Sequence, residues 1–190
     1  RSERRLTGIA VALATATVGA CQFNEEKALS LPDDSGREIP FVTPVVETNP
    51  VQSADDAADD SVILVQGGDA WIAGSDKQYG LRIYNLAGEE LLSLPAGRLN
   101  NVDAVRSGPG SFLIAASNRT TITIDLFIAK IDEGAIEVAL ASRVPLELDD
   151  PYGLCMAQIG DGLHVFVGDK SGKVQGFRIS TGLEGSLASE

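Results

Sequence analysis

VILVQGGDAWIAGSDKQYGLRIYNLAGEELLSL, residues Val62 to Leu94, contains short β-type runs punctuated by Gly, Asp and Asn, and no helical period. Runs of four to eight residues between such turn signals read as strands. They fall at Val62 to Gln66, Ala70 to Ser75, Leu81 to Asn85 and Glu89 to Leu94, with turns at Gly67-Gly68 and Ala87-Gly88. The stretch therefore predicts an antiparallel four-strand meander.

The same texture continues downstream. A second set of strands is expected at Val102 to Arg106, Phe112 to Ser117, Thr121 to Lys130 and Ile136 to Ser142, and a third at Gly153 to Ile159, Leu163 to Val167 and Lys173 to Ile179. The end of the second strand in each set repeats a pattern: Ser75-Asp76-Lys77, Ser117-Asn118-Arg119 and Gly168-Asp169-Lys170, each closing on a cation. The cations lie 42 and 51 residues apart, and four-stranded repeats of roughly 40 to 50 residues are those of propeller blades. The expected fold class is therefore all-β, a β-propeller of which about three blades are present over residues 59–190. Closed propellers carry about four to eight blades, so the chain is read as the N-terminal part of a longer domain.

Upstream the texture differs. Arg1 to Arg5 is basic, Leu6 to Ala20 is uncharged and largely apolar, and Val18-Gly19-Ala20-Cys21 closes the run with small residues. A membrane-spanning helix needs about 20 apolar residues, so this shorter run reads as a signal peptide over residues 1–21. It resembles a bacterial lipoprotein signal in which Cys21 carries the lipid. Export is expected, as an outer-membrane or periplasmic lipoprotein or an extracellular protein, with the membrane touched only through Cys21. Residues 22–58, rich in Pro, Asp, Glu, Ser and Thr, read as a tether. With Cys21 so used, Cys155 has no disulfide partner and reads as a core residue.

A net charge of −12 excludes nucleic acid and anionic membrane surfaces as partners, since both require a basic patch. Divalent cations fit better, although acidity also serves the solubility of an exported protein.

In an antiparallel blade the turn between the second and third strands and the connection leading into the next blade emerge at the same end. That end carries Lys77, Arg119 and Lys170 on the turns. It also carries the connections Asp55-Asp56-Ala57-Ala58-Asp59-Asp60, Asn100-Asn101-Val102-Asp103 and Asp149-Asp150-Pro151-Tyr152. Cations mixed with carboxylates suggest a site for a hard metal and phosphate, because Ca²⁺ takes oxygen ligands and phosphate takes Arg and Lys donors. The plainer reading of any one Asp or Asn is a solvated turn. His164, alternating with Leu163 and Val165, reads as a strand residue; Trp71, Phe112 and Phe166 read as packing. No Gly-rich phosphate loop, nucleophile elbow or zinc spacing is present.

Several segments together resemble the ordered motifs of β-propeller phytases. They are Asp56-Ala57-Ala58-Asp59-Asp60 before an apolar strand, Lys77 before Gly80-Leu81-Arg82-Ile83-Tyr84, Gly97-Arg98-Leu99-Asn100-Asn101-Val102-Asp103, Ala115-Ala116-Ser117-Asn118-Arg119 and Tyr152-Gly153. The resemblance implies a six-bladed propeller when complete and a calcium-dependent hydrolysis of phytate phosphomonoesters by metal-activated water. It implies that Lys77, Arg119 and Lys170 contact phosphate, that Tyr152 is an active-site tyrosine, and that Asp59 and Asp60, with Asp56 and Asp103 as weaker candidates, serve several Ca²⁺ ions. The expected partners are phytate or other inositol phosphates, bound by a monomer. Ser171 stands where many members of that family place an acidic residue, and Val105 where an Arg usually follows Asn-Asn-Val-Asp. An alternative stays open: a non-catalytic surface lipoprotein whose propeller binds phosphorylated ligands or a protein. Three blades alone are expected to be inactive.

Overall fold

Alternation along the strands decides which faces meet. In β1 (Ala58–Gln66) Leu64 is fully buried while Ile63 and Val65 are exposed, the period of two that puts successive side chains on opposite faces. β1 pairs with β2 (Asp69–Asp76), β2 with β3 (Gly80–Asn85) and β3 with β4 (Glu90–Pro95), all antiparallel. The second blade is β5 (Leu99–Gly108), β6 (Ser111–Asn118), β7 (Thr123–Asp132) and β8 (Ala135–Pro145). The third is β9 (Pro151–Ile159), β10 (Gly162–Asp169), β11 (Val174–Thr181) and β12 (Leu187–Ser189).

The computed structural model describes residues 43–181 and 187–189. The expected signal peptide, and the tether as far as residue 42, lie outside the described residues. Those described form three four-stranded antiparallel meanders, the propeller blades expected from the repeat, and the sheets do not close into a ring.

β6 explains how the blades stack. Its residues Phe112, Ile114 and Ala116 face the first blade, packing with Leu64, Trp71, Leu81 and Ile83. Leu113 and Ala115 face the third, packing with Val165, Val167 and Ile179. A strand covered on both faces must be apolar at consecutive positions, which is why Phe112 to Ala116 is an unbroken apolar run. β7 does the same, with Phe127 and Ala129 in the first core and Ile124 and Leu126 in the second.

The first strands of the three blades lie side by side, β5 contacting both β1 and β9. This arrangement gathers the connections that precede them at one end. The end of the expected tether is bonded to the first blade: Asn49 N donates to Gly88 O at 2.7 Å, Glu90 N donates to Asn49 Oδ1 at 3.0 Å, and Ser53 Oγ donates to Asp76 Oδ2 at 2.8 Å. Gly88, at φ 84°, is required there, because any side chain would collide with the Glu47 backbone.

Candidate active site

The three cations stand at equivalent positions because the residue before each builds the same turn. Asp76 Oδ1 accepts from Gln78 N at 2.9 Å, Asn118 Oδ1 from Thr120 N at 2.8 Å, and Asp169 Oδ1 from Ser171 N at 2.8 Å. An Asp or Asn side chain bonded to the backbone two residues on is an Asx turn. Each turn fixes where the next residue, Lys77, Arg119 or Lys170, leaves the backbone.

Lys77 Nζ donates to Asp56 Oδ2 at 2.6 Å and to Asp59 Oδ1 at 3.1 Å. The Asp56 bond, with the Asp59 bond behind it, holds the ammonium above the ordinary lysine pKa. The Asp59 side chain is thus spent on a cation of its own blade. Asp60 is spent on the neighbouring blade: its Oδ2 accepts from Asn101 Nδ2 at 2.9 Å and Val102 N at 3.1 Å. Asp103 repeats that role one blade on, accepting from Met156 N at 2.7 Å.

Arg119, Tyr152 and Lys170 come together although they belong to different blades. Arg119 Nε and Nη2 donate to the two oxygens of Asp150 at 2.6 and 3.0 Å, and Lys170 Nζ lies 3.3 Å from Asp150 Oδ2. Both cations sit over the Tyr152 ring, the Lys170 ammonium 4.9 Å and the Arg119 guanidinium carbon 5.9 Å from its centroid. The Arg119 bonds, aided by Lys170, hold the Asp150 carboxyl below its usual range. Arg119 Nη1 has no hydrogen-bond partner among the described residues. The ammonium of Lys170, whose side chain is 57% exposed, also keeps donors in reserve. Such a pair, with a phenol beside it, can grip a phosphate oxyanion.

Ser171 is less available. Its hydroxyl donates to Asp169 Oδ1 at 2.6 Å and its amide to the same oxygen, closing the turn at an exposed position. The bond from the Ser171 hydroxyl, with those from the Ser171 and Lys173 amides, lowers the Asp169 pKa.

Calcium takes six to eight oxygen ligands. Among the described residues no three Asp, Glu, His or Cys side chains converge on one point. Asn100 Oδ1 is buried without a partner beside the Asn101 and Asp60 bonds, yet these groups do not make a calcium cage, and no step can be derived through such an ion from them.

The sequence model of the phytase family matches residues 8–188. The chain belongs to the phytase family. It is also similar to the 3-phytase of Bacillus subtilis (strain 168), at 29% identity over 191 residues, covering 94% of this chain. The chain spans about half the length of that relative, 47%.

The resemblance read from the motifs is thus confirmed at the level of family and fold. In the sequence Asp150 is one of several acidic turn residues, with nothing to single out its pairing with Arg119. Its place immediately before Pro151-Tyr152, in the connection facing the turn cations, was the available signal.

Proposed function

We propose that the whole protein hydrolyses phosphomonoesters of phytate with calcium as its cofactor, and that this chain supplies cations that hold the substrate's phosphates. One observation carries the reading: Arg119 and Lys170, from neighbouring blades, share Asp150 and both cover Tyr152, in a chain of the phytase family. The relative similar to it is a 3-phytase.

Arg119 would bind a phosphate through Nη1 and Lys170 through its free N–H groups, with the Tyr152 hydroxyl at the rim. Lys77, paired with Asp56 and Asp59, would be a further cation for the substrate's phosphates. Calcium as a cofactor would reconcile a chain of net charge −12 with an anionic substrate, since a bound divalent cation offsets the charge of a polyanion. Asp56, Asp59, Asp60 and Asp103, the carboxylates the family resemblance suggests for calcium, are engaged by Lys77 and by the neighbouring blades, so the proposal of calcium rests on family membership and not on a ligand set in this chain.

The test is phosphate release from phytate by the full-length protein, with calcium and with a chelator. Release that calcium supports, and that Arg119→Ala or Lys170→Ala lowers about 100-fold, is expected; absence of release sinks the enzymatic reading. A second reading draws on Ser171, whose hydroxyl is bound to Asp169 where many phytases have a carboxylate. Tight binding of phytate without release would favour that non-catalytic role.

A further inference from the structure

We propose that Asp150 is a positioning residue for phosphate capture, an internal counterion that locks Arg119 and Lys170 together before substrate arrives. This rests on the phosphate-binding reading of the pair.

The geometry is two-sided. Asp150 engages the Nε and Nη2 edge of Arg119 with both of its oxygens, the arrangement that fixes a guanidinium in its plane as well as in place. Nη1 is left without a hydrogen-bond partner among the described residues. The same carboxylate reaches Lys170, so one anion ties the turn of the second blade to the turn of the third.

The pairing also meets an electrostatic need. Two cations brought over one tyrosine ring repel each other, and at several ångströms such a term matters even at the effective dielectric of a protein surface. A carboxylate between them removes that penalty. Asp150 itself is well anchored: Leu148 is 5% exposed in the core between the second and third blades, and Pro151, also buried, opens β9 and pairs with Asp169. The Arg119 bonds, with Lys170 behind them, lower its pKa further below the usual carboxylate range, as expected of an anion held between two cations.

Lys77 makes a useful contrast. Its carboxylates come from its own blade's connection, and Asp56 is 86% exposed. Asp150 alone among the described carboxylates bonds two of the three turn cations. Removing it should therefore weaken phosphate binding, although it removes a negative charge from an anion site.

The experiment uses the full-length protein and inorganic phosphate as the probe. Phosphate binding is measured by calorimetry for the parent, Asp150→Asn, Asp150→Glu and the same Asp150→Asn change in an Arg119→Ala, Lys170→Ala background, with phosphate inhibition and phytate kinetics for the first three. The expected result is that Asp150→Asn weakens phosphate inhibition and raises KM, each on the order of tenfold. kcat should change less, Asp150→Glu should recover part of the loss, and the effect should vanish in the background lacking both cations.

Unchanged or tighter phosphate binding in Asp150→Asn overturns the proposal, because Asp150 would then compete with phosphate instead of preparing its site. An equal loss in the background lacking Arg119 and Lys170 also overturns it, since Asp150 would not be acting through them. If the parent neither binds phosphate nor releases it from phytate, the functional reading itself fails, and this inference with it.

Discussion

The Ser117 hydroxyl, fully buried at the end of β6, donates to the Tyr152 carbonyl oxygen at 2.7 Å and accepts from Asn101 N at 3.1 Å. It therefore clips the inner strand of the third blade to the second. Ser75 repeats the clip one blade earlier, donating to Asn100 O and accepting from Asp60 N. The equivalent position in the third blade is Gly168, which has no hydroxyl to offer. Ser117→Ala should leave two backbone groups without their partner, at a cost of about 1–3 kcal/mol. Denaturant unfolding of the full-length protein reads the stability, and a raised KM for phytate would show that Tyr152 has moved as well.

Phe127 shows how two faces of one sheet serve two cores. It lies between the first and second blades with 1% exposure, so Phe127→Ala should cost about 3–5 kcal/mol. The midpoint of thermal unfolding checks it. A cost under 1 kcal/mol would mean that the blades do not pack across this strand as described.

Much of this fold was legible because Gly and Asp mark the ends of the strands, and because Phe112 to Ala116 is apolar at every position. The site was legible only in part. Lys77, Arg119 and Lys170 stand at the same place in each four-strand set, and the connections facing them are acidic, so their shared end of the sheets followed from topology. The partner of Arg119 did not, since Asp150 lies 31 residues away in the connection to the next blade and looks like any turn carboxylate. Nor was it visible that Asp60 and Asp103 bond the next blade's backbone. Backbone amides leave no trace in a sequence. The bonds of Asn49 to the β3–β4 hairpin are hidden for the same reason.

Asp76 predicts an acid limb. Burial alone would raise its pKa, but bonds from Gln78 N, Ser53 and Arg82 outweigh it, and the net pKa is lowered from 3.8. A carboxyl with a folded pKa below its unfolded value adds stability that is present above 3.8 and lost as pH falls through the folded value. Asp76→Asn should therefore reduce stability at neutral pH, by about 3 kcal/mol given that Arg82 keeps only Glu90. It should also flatten the fall in stability below pH 4. Urea unfolding across pH 2–7 compares the two proteins; parallel profiles would refute the assignment.

Export and lipidation at Cys21 remain a sequence proposal with a direct test. Expressed with its leader in a bacterium, the protein should incorporate labelled palmitate, and Cys21→Ala should abolish the label. Mass spectrometry of the mature N-terminus should find Cys21 first and modified; an unmodified N-terminus elsewhere would remove the anchor.

Asn118 offers the sharpest test of the repeated turns, because its sister positions, Asp76 and Asp169, both carry Asp. By that repeat alone Asn118→Asp should be harmless, since Oδ1 would still accept from Thr120 N. The buried surroundings say otherwise. Across the strand pair Asp76 meets Arg82 at 2.8 Å, whereas Asn118 donates through Nδ2 to Asp125 Oδ2 at 2.9 Å and to Ala96 O at 2.8 Å. An Asp at 118 would lose both donors and set a second carboxylate against Asp125, which is 0% exposed. The substitution should cost about 3 kcal/mol or more at neutral pH. Adding Asp125→Asn, which restores a donor opposite the new carboxylate, should recover much of that loss. A double-mutant cycle on urea unfolding measures the coupling. Simple additivity would mean that Asn118 is not chosen by Asp125, and that the turn alone accounts for this position.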